Sequence, residues 1–373
     1  MPVTYRATFE WCRRGEPTEV DQPSREVRDA PDRRRQGLRL LVVIPALNEA
    51  RTIGRVISRI PRDIPGISET RVVVIDDGST DGTGRVAEEH GARVLRNQKT
   101  QGLGRVLRRA FDLVVEEGAD VLVHVDGDGQ FNSRDMRLLV EPILEGRAQF
   151  VTGIRFGPGA APQRMGLARY LGNVGMARLI SVLTGRRFYD SACGFRAYAA
   201  EVALRLNPMG SHTCSQETLL EIAFRGFSIE QRAVRVRGTR RYGRSRVAHS
   251  LLRYGYQAAL IIARTYRDYR PLRFFGVVGS ALAGAGIVLG GFFLRHYYLT
   301  GRFTPHLWAG FSGAFFFGTG CLLVLTGILA DMLDRIRLNE EEILYQQRLQ
   351  RWRERRGEAG ALSESPAATV KHE

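Results

Sequence analysis

Val121-Leu122-Val123-His124-Val125-Asp126-Gly127-Asp128-Gly129-Gln130 is the stretch that decides how this chain folds. Its first five residues read as a strand buried on both faces. The strand ends in two carboxylates at i and i+2, and such residues point to one side of an extended chain. A pair like this can hold a hard divalent cation, which prefers carboxylate oxygen and leaves positions open for phosphate oxygens. The intervening Gly127 allows a diphosphate to come close to the backbone. Asp-x-Asp also occurs in ordinary surface turns, so the pair needs support from the rest of the chain. His124, inside the strand, reads as a packed core residue.

The support lies upstream. Leu38–Ile44 is an apolar run interrupted only by Arg39 and stopped by Pro45. Asn48 to Ile60 reads as a helix with Ile53, Val56, Ile57 and Ile60 on one face, ended by Pro61 and Pro65. Val72–Ile75 is a second buried strand, followed at once by Asp76-Asp77-Gly78-Ser79-Thr80-Asp81-Gly82. Thr83–His90 reads as a helix, Ala92–Leu95 as a short strand and Gly104–Glu117 as a further helix. Alternating strands and helices predict an α/β fold with a mostly parallel sheet and helices on both faces. Ligands of such sheets bind beyond the carboxyl ends of the strands. Pro45–Glu49, Asp76–Ser79 and Asp126–Gln130 all lie at those ends and should converge. After Phe150 the pattern is less regular. Gln149–Gly153 and Ser228–Val236 read as strands, Leu167–Leu183 and Ser215–Phe224 as helices, Phe188–Tyr198 as mixed, and Arg237–Arg246 as a basic loop.

The 373 residues are 44% hydrophobic, enough for one large domain and additional elements. The formal net charge is +16, carried almost wholly by arginine, since Lys99 and Lys371 are the only lysines. That charge suits anionic partners such as nucleotide diphosphates and lipid phosphates. No zinc-finger spacing or Arg-rich recognition helix points to nucleic acid. Cys12, Cys193, Cys214 and Cys321 are scattered without Cys-x-x-Cys and read as reduced thiols. Residues 1–37 lack the apolar segment of a signal peptide and read as a disordered, charged arm.

The C-terminal third changes character. Phe274–Leu294 is 21 residues without a charge and Leu307–Ala330 is 24. At ~1.5 Å per residue the first spans roughly 31 Å, against about 30 Å of bilayer hydrocarbon. Two such runs in tandem, Gly-rich and joined by a short loop, predict a membrane hairpin with Tyr297, Tyr298 and Trp308 at the interface. Arg335, Arg337 and the Arg-rich tail follow the second run, whereas the loop carries only Arg295 and Arg302. The positive-inside rule then places both termini and the large domain in the cytosol, as expected at a bacterial or archaeal inner membrane. Val247–Tyr269 mixes Leu251, Leu252, Ala259 and Ile262 with Arg253, Arg264 and Arg267, which suits a helix lying on the bilayer surface. Asn339–Arg356 reads as a charged helix, either solvated or self-associating. The expected division is a 1–37 arm, a 38–246 catalytic domain, a 247–272 amphipathic helix, a 273–331 hairpin and a 332–373 charged helix and tail.

In order and spacing, Pro45-Ala46-Leu47-Asn48-Glu49, Ile75-Asp76-Asp77-Gly78-Ser79-Thr80-Asp81, Gly102-Leu103-Gly104 and Asp126-Gly127-Asp128-Gly129-Gln130 resemble the family 2 inverting glycosyltransferases. Gly153-Ile154-Arg155, Arg169 to Asn173, Gly194-Phe195-Arg196 and Gly243-Arg244-Ser245 are similar to the polyprenyl-phosphate branch, typified by dolichyl-phosphate mannose synthase. The resemblance covers residues 38–335. It implies a GT-A-like fold and transfer of a hexose from a nucleotide-diphosphate sugar to a polyprenyl (dolichyl or undecaprenyl) phosphate. It assigns Pro45, Asn48, Glu49, Asp76, Asp77, Gly102 and Asp126 to the nucleotide, and Asp126, Asp128 and Gln130 to Mg2+ or Mn2+. Asp128 and Arg155 would be catalytic. Arg155, Arg169, Asn173 and Arg240 would bind the lipid phosphate, and Asp190 and Glu217 the sugar. For Asp76 and Asp77 a plain turn or cap is the alternative, and for Asp190 and Glu217 a cap or ion pair. A processive polysaccharide synthase is a second implied reading, although Gln347 and Arg351-Trp352 are one residue too far apart for the Gln-x-x-Arg-Trp of that group. A non-catalytic membrane scaffold is a third. Self-association is compatible with any of them.

Overall fold

Two apolar faces on each central strand generate the architecture seen in the computed structural model. It describes residues 37–160, 167–207, 214–237, 260, 263–264 and 266–357. The N-terminal arm, Arg240, Gly243-Arg244-Ser245 and most of the expected surface helix lie outside the described residues.

β1 (Leu38–Ala46) sends Leu41 and Val43 to one side of the sheet and Leu40, Val42 and Ile44 to the other, and all five are buried. β2 (Ile67–Asp76), β3 (Arg93–Arg96) and β4 (Val121–His124) pair parallel around it. β5 (Phe150–Ile154), β6 (Arg196–Ala199) and β7 (Ile229–Ala233) complete seven strands in the order β3-β2-β1-β4-β6-β5-β7. β6 runs antiparallel to both β4 and β5, so one reversed strand sits inside an otherwise parallel sheet. The sequence shows β6 only as part of a mixed segment because it is four residues long and opens on a charge.

Helices cover both faces, as expected. α1 (Ile53–Ser58), α2 (Thr83–Glu89) and α4 (Met136–Leu144) alternate in the chain with α3 (Leu103–Glu117). Ile53, Val56, Met136 and Leu139 fill one core, while Val106, Phe111 and Val114 of α3 fill the opposite one. α5 (Leu167–Thr184), α6 (Ala200–Arg205) and α7 (Cys214–Phe224) follow. α1 begins five residues later than its apolar pattern suggests. Asn48 adopts φ 55, a left-handed conformation outside a helix, because residues 48–50 are drawn onto the loop after β2.

α8 (Pro271–Thr300) and α9 (Leu307–Arg356) are both long and apolar enough to cross a membrane. They pack through facing glycines: a methyl group on Gly286 would run into the backbone of Phe317, and one on Gly320 into that of Ala283. α9 continues without a break for 50 residues, so the expected charged helix 339–356 lies within its second half. That half is neither solvated all round nor free of the domain. It crosses the ends of α7 and α6 to reach α3. Arg225 donates to Glu341 at 2.7 Å and Arg205 to Glu342 at 2.8 Å. Arg348 donates to the Leu206 carbonyl at 2.9 Å, and the buried Trp352 indole donates to the Ala119 carbonyl at 2.8 Å. A single tryptophan among charged residues gave no periodic signal by which this docking could be read.

Candidate active site

The three strand ends converge and are stitched together by hydrogen bonds. Asp77 N–H donates to the Ala46 carbonyl at 2.9 Å, joining the ends of β2 and β1. Asn48 N–H donates to Ser79 Oγ at 2.9 Å, and Thr80 N–H to Asn48 Oδ1 at 2.8 Å. Glu49 N–H donates to Thr83 Oγ1 at 2.8 Å. The loop after β4 joins them through Thr52 Oγ, which donates to the Gly127 carbonyl at 2.8 Å. Pro45 lies over the same turn, its carbonyl 3.1 Å from where a Gly127 side chain would begin.

Much of the acidic capacity here builds the cradle. Asp76 is enclosed and accepts from Ser79 N–H at 2.8 Å. Asp77 accepts from Asn97 Nδ2 and Gln101 N–H, both at 2.8 Å, and from Gly102 N–H at 2.9 Å. It therefore shapes the entry to α3, where Gly102 takes φ 91. These bonds give both side chains the turn-and-cap role of the alternative reading.

Asp126 and Asp128 stay half-buried at the end of β4. Burial pushes both carboxyls upward, Asp128 to about 6, and Asp126 adds repulsion to Asp128. Arg155 and Arg196 act the other way on Asp126. Asp128 Oδ1 accepts from Gln130 N–H at 3.0 Å, which fixes the turn. Two acids that repel each other fit an added cation. Among the described residues no group of three or more His, Cys, Asp or Glu could hold a metal unaided. The donor set thus suits a cation that also takes diphosphate oxygens. Because a ligand must shed its proton, Mn2+ affinity should fall about tenfold per pH unit below about pH 6. Titration calorimetry from pH 5 to 8 checks this, and a flat profile contradicts it.

Arg155 follows β5. Its guanidinium forms a fork onto Asp190, Nε to Oδ2 at 2.7 Å and Nη2 to Oδ1 at 2.9 Å, while its N–H also donates to Oδ2 at 3.0 Å. Burial opposes ionisation of Asp190, and Arg155 overrides it, so the carboxyl is held below its usual range. Asp190 is fully enclosed. This corrects its assignment to the sugar: it sits behind Arg155 and sets that side chain's direction. Phe156 packs edge-on against Tyr170 at 5.4 Å, which brings the start of α5 beside Arg155. Arg169 lies in that helical turn and the half-buried Asn173 in the next. Glu217 is in the first turn of α7, half-buried.

Gly194 was quoted in sequence without a role. A methyl group there would lie 2.5 Å from Asp126 Oδ2, so the carboxylate occupies the space a side chain would fill. Gly194→Ala should displace Asp126 and lower turnover on the order of a hundredfold. The melting temperature should change little. Steady-state rates and a thermal melt on one preparation check this.

Residues 41–203 match the family described as Glycosyl transferase family 2. A dolichyl-phosphate hexose transferase of Haloferax volcanii is 33% identical over 192 residues, 52% of this chain and 80% of that one. The chain belongs to glycosyl transferase family 2. Its similarity to an undecaprenyl-phosphate mannosyltransferase of Micrococcus luteus is 28% over 204 residues, 53% of this chain and 82% of that one. Among solved structures, this family 2 transferase is similar to a glucosyl-3-phosphoglycerate synthase of M. tuberculosis at 25% identity, covering 62% and 82% of the two chains with a TM-score of 0.47. Glycosyl transfer is the activity that membership supports.

Proposed function

We propose that this transferase moves a hexose from a nucleotide-diphosphate sugar to a polyprenyl phosphate. The observation that carries the reading is the Asp190-locked Arg155 fork beside the Asp126–Asp128 pair. A site for an ordinary sugar hydroxyl needs a base to remove its proton. A phosphate monoester has a second pKa of about 6 and is already anionic at neutral pH. What such an acceptor needs is cationic surface, and a guanidinium, with five N–H donors, can serve a carboxylate and a phosphate oxygen together. The names of the two relatives, a dolichyl-phosphate and an undecaprenyl-phosphate transferase, agree with this acceptor class.

In this reaction a phosphate oxygen of the acceptor forms the new bond to the anomeric carbon. The bond from that carbon to the nucleotide's diphosphate breaks on the opposite face, giving inversion, and the electron pair leaves with the diphosphate. Asp126 and Asp128, with Gln130 beside them, would hold a divalent cation, which neutralises the departing diphosphate. Arg155, with Arg169, Asn173 and Arg240, holds the acceptor phosphate and offsets its repulsion from the donor. Glu217 remains a candidate contact to the sugar. α8 and α9 would anchor the enzyme in a membrane with the catalytic domain and both termini on the cytosolic side.

Arg169→Ala and Arg240→Ala test the acceptor. Each should raise the apparent KM for polyprenyl phosphate roughly tenfold to a hundredfold, the equivalent of about 1.5–3 kcal/mol for a charge-assisted bond. Affinity for the nucleotide sugar should stay the same, and Lys should rescue only in part because it lacks the fork. Equal losses in both measurements, or efficient transfer to a free sugar, would overturn the lipid-phosphate reading. The polysaccharide-synthase alternative is weakened by Trp352, which is buried against Ala119 and so committed to packing.

A further inference from the structure

Arg196 is among the largest side chains wholly enclosed in this protein. Its guanidinium donates to three main-chain carbonyls: Nε to Cys193 at 2.8 Å, Nη1 to Ser215 at 2.8 Å and Nη2 to Ser191 at 3.3 Å. The face of Phe150 lies 5.8 Å from it. Enclosing a charge is expensive, and these acceptors are neutral. Packing alone would be served as well by an apolar side chain of similar size, so the charge and the fork call for another use.

The neighbouring residues indicate that use. The carbonyls on Arg196 belong to two separate pieces of chain, the segment Ser191–Cys193 and the first turn of α7. Between Cys193 and Arg196 lies Gly194, whose missing side chain makes room for Asp126. The Gly194 carbonyl accepts from His124 Nδ1 at 2.7 Å, and the Phe195 carbonyl from Gly153 N–H at 2.8 Å. The strip that backs the Asp126 carboxylate is thus pinned on both sides, and the guanidinium's positive charge bears on that carboxylate. Arg155 bears on it as well, but its side chain is partly exposed, whereas Arg196 cannot reach a substrate.

We propose that Arg196 is a positioning residue of the cation–diphosphate site. By gripping Ser191–Cys193 and the start of α7, it holds the Gly194 strip against Asp126 and keeps that carboxylate aimed for a divalent cation. This rests on the reading of Asp126 and Asp128 as cation ligands. It also gives the Gly-Phe-Arg triplet a physical task distinct from binding the acceptor.

The test is Mn2+ binding to the full-length protein in detergent, with saturating UDP or GDP and no acceptor present, followed by electron paramagnetic resonance, because the cation takes part of its ligands from a diphosphate. Arg196→Lys keeps the charge and loses the fork, while Arg196→Met keeps the bulk and loses the charge. Both should weaken Mn2+ affinity, by roughly tenfold to a hundredfold as for other groups that support a metal ligand. The KM for polyprenyl phosphate should not move. His124→Leu retains Arg196 but removes one pin on Gly194, and should lose affinity by a smaller factor. Wild-type Mn2+ affinity in a folded Arg196 variant overturns the inference, even if its melting temperature has dropped. Should both Arg196 variants unfold, unchanged binding in His124→Leu overturns it. The underlying reading fails in a different way: Asp128→Ala would then bind Mn2+ as the wild type does, or the wild type would bind none.

Discussion

Asp128→Ala lowers turnover about a hundredfold to a thousandfold and leaves the fold intact. The size follows from the several kcal/mol of leaving-group charge that a held cation neutralises, which at about 1.4 kcal/mol per factor of ten gives that range. The retained fold follows from position. Asp128 lies past the end of β4, half-buried, and its hydrogen bond from Gln130 N–H ties its own turn. Removing the side chain also removes a charge that burial and Asp126 both disfavour, with its carboxyl pushed up to about 6. At neutral pH the variant should therefore melt no lower than the wild type. Turnover with a saturating nucleotide sugar, a chelator control and a melting curve check the result together. Full activity in the variant or in chelator would contradict the metal-dependent mechanism.

Trp352→Ala should cause a large loss of stability for a change outside the sheet. Truncating a buried tryptophan costs about 3–5 kcal/mol through lost burial and the cavity left behind. The Ala119 carbonyl also loses its donor, and an unsatisfied buried group costs about 1–3 kcal/mol. Trp352→Phe separates the two effects, because it restores most of the volume and none of the hydrogen bond. Denaturant unfolding followed on the catalytic domain should show a lower midpoint for both variants, with Phe between Ala and wild type. No shift would mean that the end of α9 stays undocked in solution.

The centre of the sheet was legible in the sequence because parallel strands buried on both faces are unbroken apolar runs. Leu40–Ile44 is such a run and Val121–Val125 is one apart from His124, and the acids at the strand ends marked the ligand-binding edge. Legibility failed wherever distant parts of the chain override local pattern. Asn48 to Thr52 have a helical context but bond instead to Ser79, Thr80, Asp81 and Gly127. The bonds that tie Asp77 to Gly102 and Asp190 to Arg155 leave no local pattern in the sequence. Arg196 sits in a four-residue strand, where a charge argues against burial, and only the carbonyls around it explain its place. Composition shows which residues can do chemistry, whereas the division between contact and support depends on pairings that may span a hundred residues or more.

The docking of α9 also has a consequence for the order of events during synthesis. Ala119 and Trp352 are separated by 233 positions. At about 5–20 residues per second on the ribosome, α3 and its neighbouring carbonyl wait for roughly tens of seconds before the covering indole exists. In that interval α8 and the apolar first part of α9 are made ahead of the residue that completes the domain, which lies near the end of α9. The catalytic unit therefore cannot mature as an early, self-sufficient product of translation. Its last piece of core arrives only after the two long apolar runs have been made, so that a chain stopped short of residue 352 lacks the piece that closes its first-made domain.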